Sequence, residues 1–249
     1  MTGRLTVAGL GPGAAALVTP EVSAALAQAT DIVGYGPYVA RVPHRAGLTR
    51  HESDNGDEIA RARAALAMAA AGRRVVVVSS GDPGVFAMAA AVCEALEAGP
   101  AEWRAIDLRI LPGITAMLAA AARAGAPLGH DFCAINLSDN LKPWAVLERR
   151  LRLAAEADFA IALYNPRSRA RPDALSRAFD ALREVAGGER VVIFARAVSS
   201  SDESLAVSTL AEVRAEEADM QTMVIIGSSL TRVVARPAGP LVYTPRSTP

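Results

Sequence analysis

Short segments rich in Gly, Pro, Ser, Asp and Arg punctuate the 249-residue chain, and they concentrate the groups that small-molecule chemistry needs. They are GLGPG (residues 9–13), GYGPY (34–38), SSGDPG (79–84), LPGITA (111–116), LSDN (137–140), LYNPRS (163–168), ARAVSSSD (195–202) and GSS (227–229). Glycines let a backbone turn tightly and approach a ligand closely. Asp82 offers a carboxylate that can bond a ribose hydroxyl or cap the next helix. Thr115 can satisfy the first turn of its own helix or present its hydroxyl to a ligand. GLGPG invites a dinucleotide reading, and three details oppose it. Pro12 has no N–H to give a pyrophosphate, Gly34-Tyr35-Gly36 stands where a ribose-binding acid belongs, and no basic side chain lies in the loop. Such a loop suits a ligand without phosphate, although a plain strand–helix turn would read the same way.

Most of these segments follow a strand. The pattern predicts strands over 5–10, 31–35, 74–79 and 107–111, with helices over 20–29, 57–71, 86–98 and 114–124. Four valines in a row, Val75–Val78, read as a strand buried on both faces. The second half continues with strands over 132–137, 158–164, 190–194, 204–209 and 222–226, and helices over 144–156, 173–185 and 210–215. This alternation predicts the α/β class, with largely parallel sheets in two α/β domains, residues 1–126 and 127–249, and a cofactor cleft between them. GAPLG (125–129) reads as the linker. In open parallel sheets ligands bind beyond the carboxyl ends of the strands, which turns the strand assignments into a list of site segments.

Composition removes several function classes. The formal net charge is zero and 51% of residues are hydrophobic, so neither disorder nor a nucleic-acid footprint is expected. No apolar run reaches the about 20 residues of a membrane span, and glycines interrupt the first apolar run as no signal peptide would allow. Three scattered histidines and two cysteines make no metal site. Cys93 and Cys133 read as buried free thiols, pointing to a reducing cytoplasm. Lys142 is the only lysine, so nearly all basic charge is Arg.

GLGPG, SSGDPG and LPGITA, in that order and spacing, resemble the tetrapyrrole methylases, and the resemblance covers essentially the whole chain. Further segments resemble the branch acting at C17 of a precorrin: GYGPYV (34–39), DEIARAR (57–63), SSGDPGVFAMA (79–89), GAPLGHDF (125–132), INLSDNLKPW (135–144), ADFAIALYNPRS (157–168) and TPR (244–246). The resemblance implies S-adenosylmethionine as cofactor, a tetrapyrrole substrate and a homodimer, while composition points to neither nucleic-acid nor membrane partners. Cofactor contacts carry over to Pro12, Ser80, Gly81, Asp82, Val85, Thr115 and Ala116, and in the second half to Tyr164, Asn165, Ala197, Thr222 and Met223. Relatives acting on uroporphyrinogen carry an acid after the second strand, where Gly36 stands here.

The implied reaction is methylation of precorrin-3B at C17 followed by ring contraction to precorrin-4. Contraction benefits from a base near the C20 hydroxyl and an acid near the lactone oxygen. Asp139, after a strand of the second domain, is the leading candidate base. Asp54 is the second, although it and Asp57 fit a helix cap equally well. His130 fits a structural anchor at the domain junction. Arg167, Arg169 and Arg171 follow a strand end and are the candidates for holding substrate carboxylates, or else form a solvated loop. Three rivals stay open: an enzyme for the cobalt-loaded substrate, a nicotinamide-dependent oxidoreductase, and a noncatalytic tetrapyrrole carrier.

Overall fold

Strand β4 (Arg74–Ser79) shows why the first half folds around a parallel sheet. Its side chains alternate between two faces, and both are apolar. Val75 and Val77 join one buried cluster with Leu5, Val7 and Leu66, while Val76 and Val78 join another with Val22, Ile32 and Val39. The computed structural model describes residues 3–247, and the chain divides into two units between Thr115 and Ala116. In the first unit, β4 is the middle of five strands in the order β3 (Thr49–Ser53), β2 (Asp31–Tyr35), β4, β1 (Arg4–Gly9), β5 (Asp107–Leu111). Every pairing is parallel, so all five carboxyl ends lie along one edge. Helices α1 (Pro20–Gln28), α2 (Gly36–Val39), α3 (Glu58–Ala70) and α4 (Met88–Glu97) connect them. At the start of α1, Pro20 fits the first turn and the Thr19 hydroxyl accepts the Val22 N–H at 3.3 Å.

The second unit opens with α5 (Ala116–Ala124), followed by β6 (Gly125–Ala126), β7 (Phe132–Asn136), α6 (Trp144–Glu156), β8 (Ala160–Tyr164), α7 (Ala174–Ala186), β9 (Val191–Arg196), β10 (Ser204–Thr209), β11 (Thr222–Ile226), β12 (Arg232–Val234) and β13 (Leu241–Tyr243). Its main sheet has the order β10-β9-β11-β8-β7. α6 and α7 cover one face through Leu147, Leu151, Leu175, Phe179 and Leu182. Only β7 and β8 pair in parallel; β11 runs antiparallel to both β8 and β9, and β10 to β9. This sheet is therefore mixed, not largely parallel as the pattern suggested. The hydrophobic period of a strand carries no sign of its direction.

Other expectations need correction. GAPLG is not a free linker. Gly125 and Ala126 form β6, paired with β13 in a small sheet with β12, and a Cβ on Gly125 would stand 2.4 Å from the Val242 carbonyl oxygen. The unit boundary precedes α5, which packs on β9 and β11. The helix expected over 210–215 does not form. The Leu210 and Ala211 N–H groups bond Arg190 and Gly188, and Arg183 takes the Leu210 and Val213 carbonyls that a helix would use; a 3₁₀ turn follows at Ala215–Glu217. Cys93 is exposed, because the buried stripe of α4 runs through Met88, Ala89, Ala91, Val92 and Ala95. Cys133 is half-buried, and burial raises its thiol pKa.

Two carboxylates fasten turns of the second unit. Asp158 accepts the Ser229 N–H at 2.8 Å and its hydroxyl at 2.6 Å, and pairs with Arg190 at 2.6 Å. Asp219 accepts from the Thr222 hydroxyl at 2.8 Å, the Gln221 N–H at 2.9 Å and Arg196 at 2.9 Å. Burial alone would raise both carboxyls, yet these bonds hold them below the ordinary 3.8. A depressed folded value means that the stability is present above the unfolded pKa and lost as pH falls through the folded one. Urea midpoints should therefore drop with a steepening slope below about pH 4. Asp158→Asn should lower the neutral-pH midpoint and flatten that slope; an unchanged acid limb would remove Asp158 from the account.

Candidate functional site

The carboxyl edge of the first sheet is held by a contact between backbones. Leu10 N–H bonds the Ser79 carbonyl at 2.8 Å, and Gly11 and Gly81 exchange N–H···O bonds at 3.1 and 3.0 Å. The turn after β5 closes onto the same point. A Cβ on Gly113 would lie 2.2 Å from the Gly81 oxygen, and one on Gly9 would lie 2.6 Å from that oxygen and 2.7 Å from the Gly113 nitrogen. No side chain fits there, so the loops after β1, β4 and β5 touch only because these positions are glycine. Asp82 completes the junction: its carboxylate accepts the Gly84 N–H at 2.8 Å and the Gly113 N–H at 3.0 Å. It does not cap α4, which begins at Met88 without a side-chain cap.

The GLGPG loop is turned away from phosphate binding. The Leu10 and Gly11 N–H groups are consumed by Ser79 and Gly81, and Pro12 has none. Its carbonyls at Leu10, Gly11 and Gly13 all accept from Arg41. No helix starts at the loop either, since a 3₁₀ turn at Ala15–Leu17 intervenes before α1. A pyrophosphate would find the Leu10 and Gly11 donors taken and no helix dipole behind them. Beside the loop, Tyr38 on α2 has its hydroxyl close enough to the Ser80 side chain to feel it. Val85 is half-buried after Gly84, and Phe86 holds a left-handed φ of 53°. Asp54 is exposed, and its carbonyl accepts from the buried Arg61 at 2.6 Å.

In the second unit the reversal of β11 brings its amino end to the carboxyl ends of β7, β8 and β9. Thr222 lies opposite Arg196, and Met223 opposite Ala195. Tyr164 ends β8, and its hydroxyl accepts the Met117 N–H at 3.2 Å, beside Ala116 at the start of α5. Asn165 and Ala197 hold positive φ values of 51° and 46°, and Ser199 one of 70°. Left-handed non-glycine residues cost of order 1–3 kcal/mol each and gather where function demands them. Asn136 ties the edge together, its side-chain oxygen accepting from Asn165 at 3.0 Å and the Ser138 N–H at 2.9 Å.

The candidate polar residues divide. Asp139 is exposed in the loop after β7, with Arg171 3.9 Å away. Ser168 and Arg171 pair through their backbones, and each keeps a buried side-chain atom, Oγ and Nη1, without a partner among the described residues. Arg167 is spent on the Pro172 carbonyl at 3.1 Å, and Arg169 is exposed. GSS lies elsewhere: Gly227 follows β11 at the opposite edge, where Ser229 binds Asp158. His130, ahead of β7, lies toward that edge too.

The sequence matches the profile of the Tetrapyrrole (Corrin/Porphyrin) Methylases over residues 4–214. The chain is a tetrapyrrole methylase. It is 60% identical to a precorrin-3B C(17)-methyltransferase from Sinorhizobium sp over 99% of this chain and 97% of that one. The crystal structure of the methyltransferase CobJ superposes with a TM-score of 0.94 at 62% identity, covering 98% of this chain and all of that one. A uroporphyrin-III C-methyl transferase from Thermus thermophilus, complexed with S-adenyl homocysteine, shares the fold with a TM-score of 0.67 at 20% identity, over 90% and 97% of the two chains. The methylase has no side chain at Gly36, but a Cβ there would stand 3.5 Å from Glu52 Oε2, so a carboxylate of β3 borders the gap. Sequence reasoning passed over Glu52, Arg41, Arg61 and Asn136. Arg41 acts on a loop 28–31 residues upstream, and Arg61 looked like one more charge on a helix; Asn136 stood one residue before LSDN.

The junction gives a test on stability. Gly113→Ala forces a Cβ into the Gly81 carbonyl and should destabilise the methylase by about 2–4 kcal/mol, as overpacking against rigid backbone does. Asp82→Ala should cost about 1–3 kcal/mol by stranding N–H groups. Denaturant melts measure both, and wild-type stability in Gly113→Ala would show that the loops do not close as described.

Proposed function

We propose that this methylase transfers a methyl group from S-adenosylmethionine to C17 of precorrin-3B and contracts the ring to precorrin-4, in corrin assembly. The reading rests chiefly on the likeness to the Sinorhizobium precorrin-3B enzyme, which spans nearly the full length of both chains. The cofactor fits the residues present. It carries a sulfonium, a ribose and an amino-acid end but no phosphate, and in the GLGPG loop the Leu10 and Gly11 N–H groups are taken while Pro12 has none. Pro12, Ser80, Gly81, Asp82, Val85 and Thr115 are the proposed contacts in the first unit, and Ala116, Tyr164, Asn165, Ala197, Thr222 and Met223 in the second. Thr222 and Met223 are buried, so theirs are backbone contacts in this reading.

When bound, the cofactor supplies an electrophilic methyl group. The protein positions the macrocycle and excludes water, and neither task needs a protein nucleophile. Arg171 is the best placed of the three arginines for a substrate carboxylate, because its buried Nη1 has no partner among the described residues. Asp139, beside it, is the proposed acceptor of the C20 hydroxyl proton, with Asp54 the alternative. A homodimer in the cytoplasm completes the proposal.

The deciding experiment is mass spectrometry of the product from precorrin-3B and methyl-labelled cofactor, with cobalt-loaded and metal-free substrate in separate arms. A labelled precorrin-4 from the metal-free arm is expected; turnover of cobalt-loaded substrate alone would reassign the enzyme. S-adenosylhomocysteine should also raise the melting temperature, by about 2.7 kcal/mol of stabilisation at 100 times its Kd. No shift at millimolar concentration would count against the cofactor, and a shift with NADH instead would favour an oxidoreductase.

Asp139→Asn keeps the side-chain shape and removes the charge. It should slow contraction by about 10²–10⁴, the usual cost of a lost general base, while the thermal shift with S-adenosylhomocysteine persists. Normal precorrin-4 formation would remove Asp139 from the mechanism.

A further inference from the structure

Tyr38 is held more firmly than a surface phenol needs to be. Its ring packs against the core cluster of Val22, Ile32 and Val39 and meets Tyr35 edge-to-face at 5.3 Å. Its hydroxyl lies beside the Ser80 side chain in the loop after β4, and the charges of Arg41 and Arg61 reach it. Both cations are bonded only to neutral groups among the described residues. Arg61 is 5% exposed and donates to the Ser53 hydroxyl at 2.8 Å, the Asp54 carbonyl at 2.6 Å and the Met88 sulfur at 3.2 Å. Arg41 is half-buried and donates to the carbonyls of the GLGPG loop. Buried cations without anions are costly on their own. They create a positive field at the carboxyl edge of the sheet, and such a field favours negative charge that develops beside it.

Burial, aided by the neighbouring Tyr35, pushes the Tyr38 phenol above its ordinary 10.0 despite Arg41, Ser80 and Arg61. The group therefore keeps its proton at neutral pH and acts as a donor, not as a base. Ring contraction benefits from such a donor. The O–H bond at C20 breaks, the proton goes to a base, and the oxygen's electron pair becomes the carbonyl of the new acetyl group. One ring bond shifts from C20 to the neighbouring carbon, and the lactone C–O bond at that carbon breaks. Its electron pair departs on the lactone oxygen as a carboxylate. Electrons balance without an oxidant, and the only new charge outside the base falls on that leaving oxygen.

We propose that Tyr38 is a catalytic residue that donates a hydrogen bond to the departing lactone oxygen, with Arg41 and Arg61 supplying the field behind it. The proposal rests on the substrate reading above, and its test separates the two. Tyr38→Phe keeps the packed ring and removes only the hydroxyl. Single-turnover reactions with methyl-labelled cofactor should show labelled macrocycle forming at the wild-type rate in this variant. Contraction should fall at least about 30-fold in kcat with KM little changed, so that a methylated, still lactonised species accumulates. The thermal shift with S-adenosylhomocysteine confirms that the variant is folded and binds. Contraction at the wild-type rate would overturn the proposal, and so would an equal loss of both steps, which would make Tyr38 a binding residue. Failure of the wild-type enzyme to label precorrin-3B at all would instead overturn the substrate reading.

Discussion

Three backbones meet where Gly9, Gly81 and Gly113 lie against one another, and the carboxyl edge of the first sheet takes its shape from that contact. A parallel sheet delivers its strand ends to one edge but leaves the loops beyond them unconstrained. Here the loops are fixed by mutual contact at distances that no β-carbon permits, and by a carboxylate that accepts one N–H from each of two loops. The closeness of Tyr38 to Ser80 and the grip of Arg41 extend the arrangement to α2 and the GLGPG loop. A ligand approaching this edge meets a surface whose shape is set before it arrives, which lowers the ordering cost of binding.

The second unit reaches a comparable rigidity by other means. Asn136 bridges two loops through its side-chain oxygen, and Asn165, Ala197 and Ser199 adopt left-handed conformations usually left to glycine. Strain of this kind persists only when surrounding bonds over-determine it. For Ala197 those bonds are visible: its N–H binds the Gln221 carbonyl, and its own carbonyl accepts the Ser200 N–H. One edge is shaped by removing side chains and the other by forcing backbones that still carry them.

Much of this was legible in the sequence because it is local. The valine run of β4, the turn residues and the strand-end loops are each written within a few consecutive residues, and most predicted elements form within a residue or two of their expected ends. The failures have a common physical cause. Strand direction, the pairing of Gly125–Ala126 with β13, and the capture of the Leu210 and Val213 carbonyls by Arg183 are decided by partners remote in sequence. β3, with its Thr-Arg-His-Glu-Ser nowhere fully buried, lacks the apolar signature of a strand and exists because β2 offers it a free edge. At the site, Asp82 was readable as important from its type and position, but its tie to Gly113 was not, and Arg61 looked like one more charge on a helix.

The antiparallel course of β11 separates what can vary from what cannot. Because the strand begins beside the carboxyl ends of β8 and β9 and ends at the opposite edge, everything from Gly227 through β12 leaves the sheet on the far side. Insertions or fusion points in the exposed turn after β12, beyond the Asp158–Ser229 tie, would lengthen the protein without re-aiming Thr222 or Met223. The same change between β8 and α7 would displace Asn165 and Arg171 directly. For anyone grafting a tag, a partner domain or a new loop onto this scaffold, the reversed strand marks the tolerant end of the second unit.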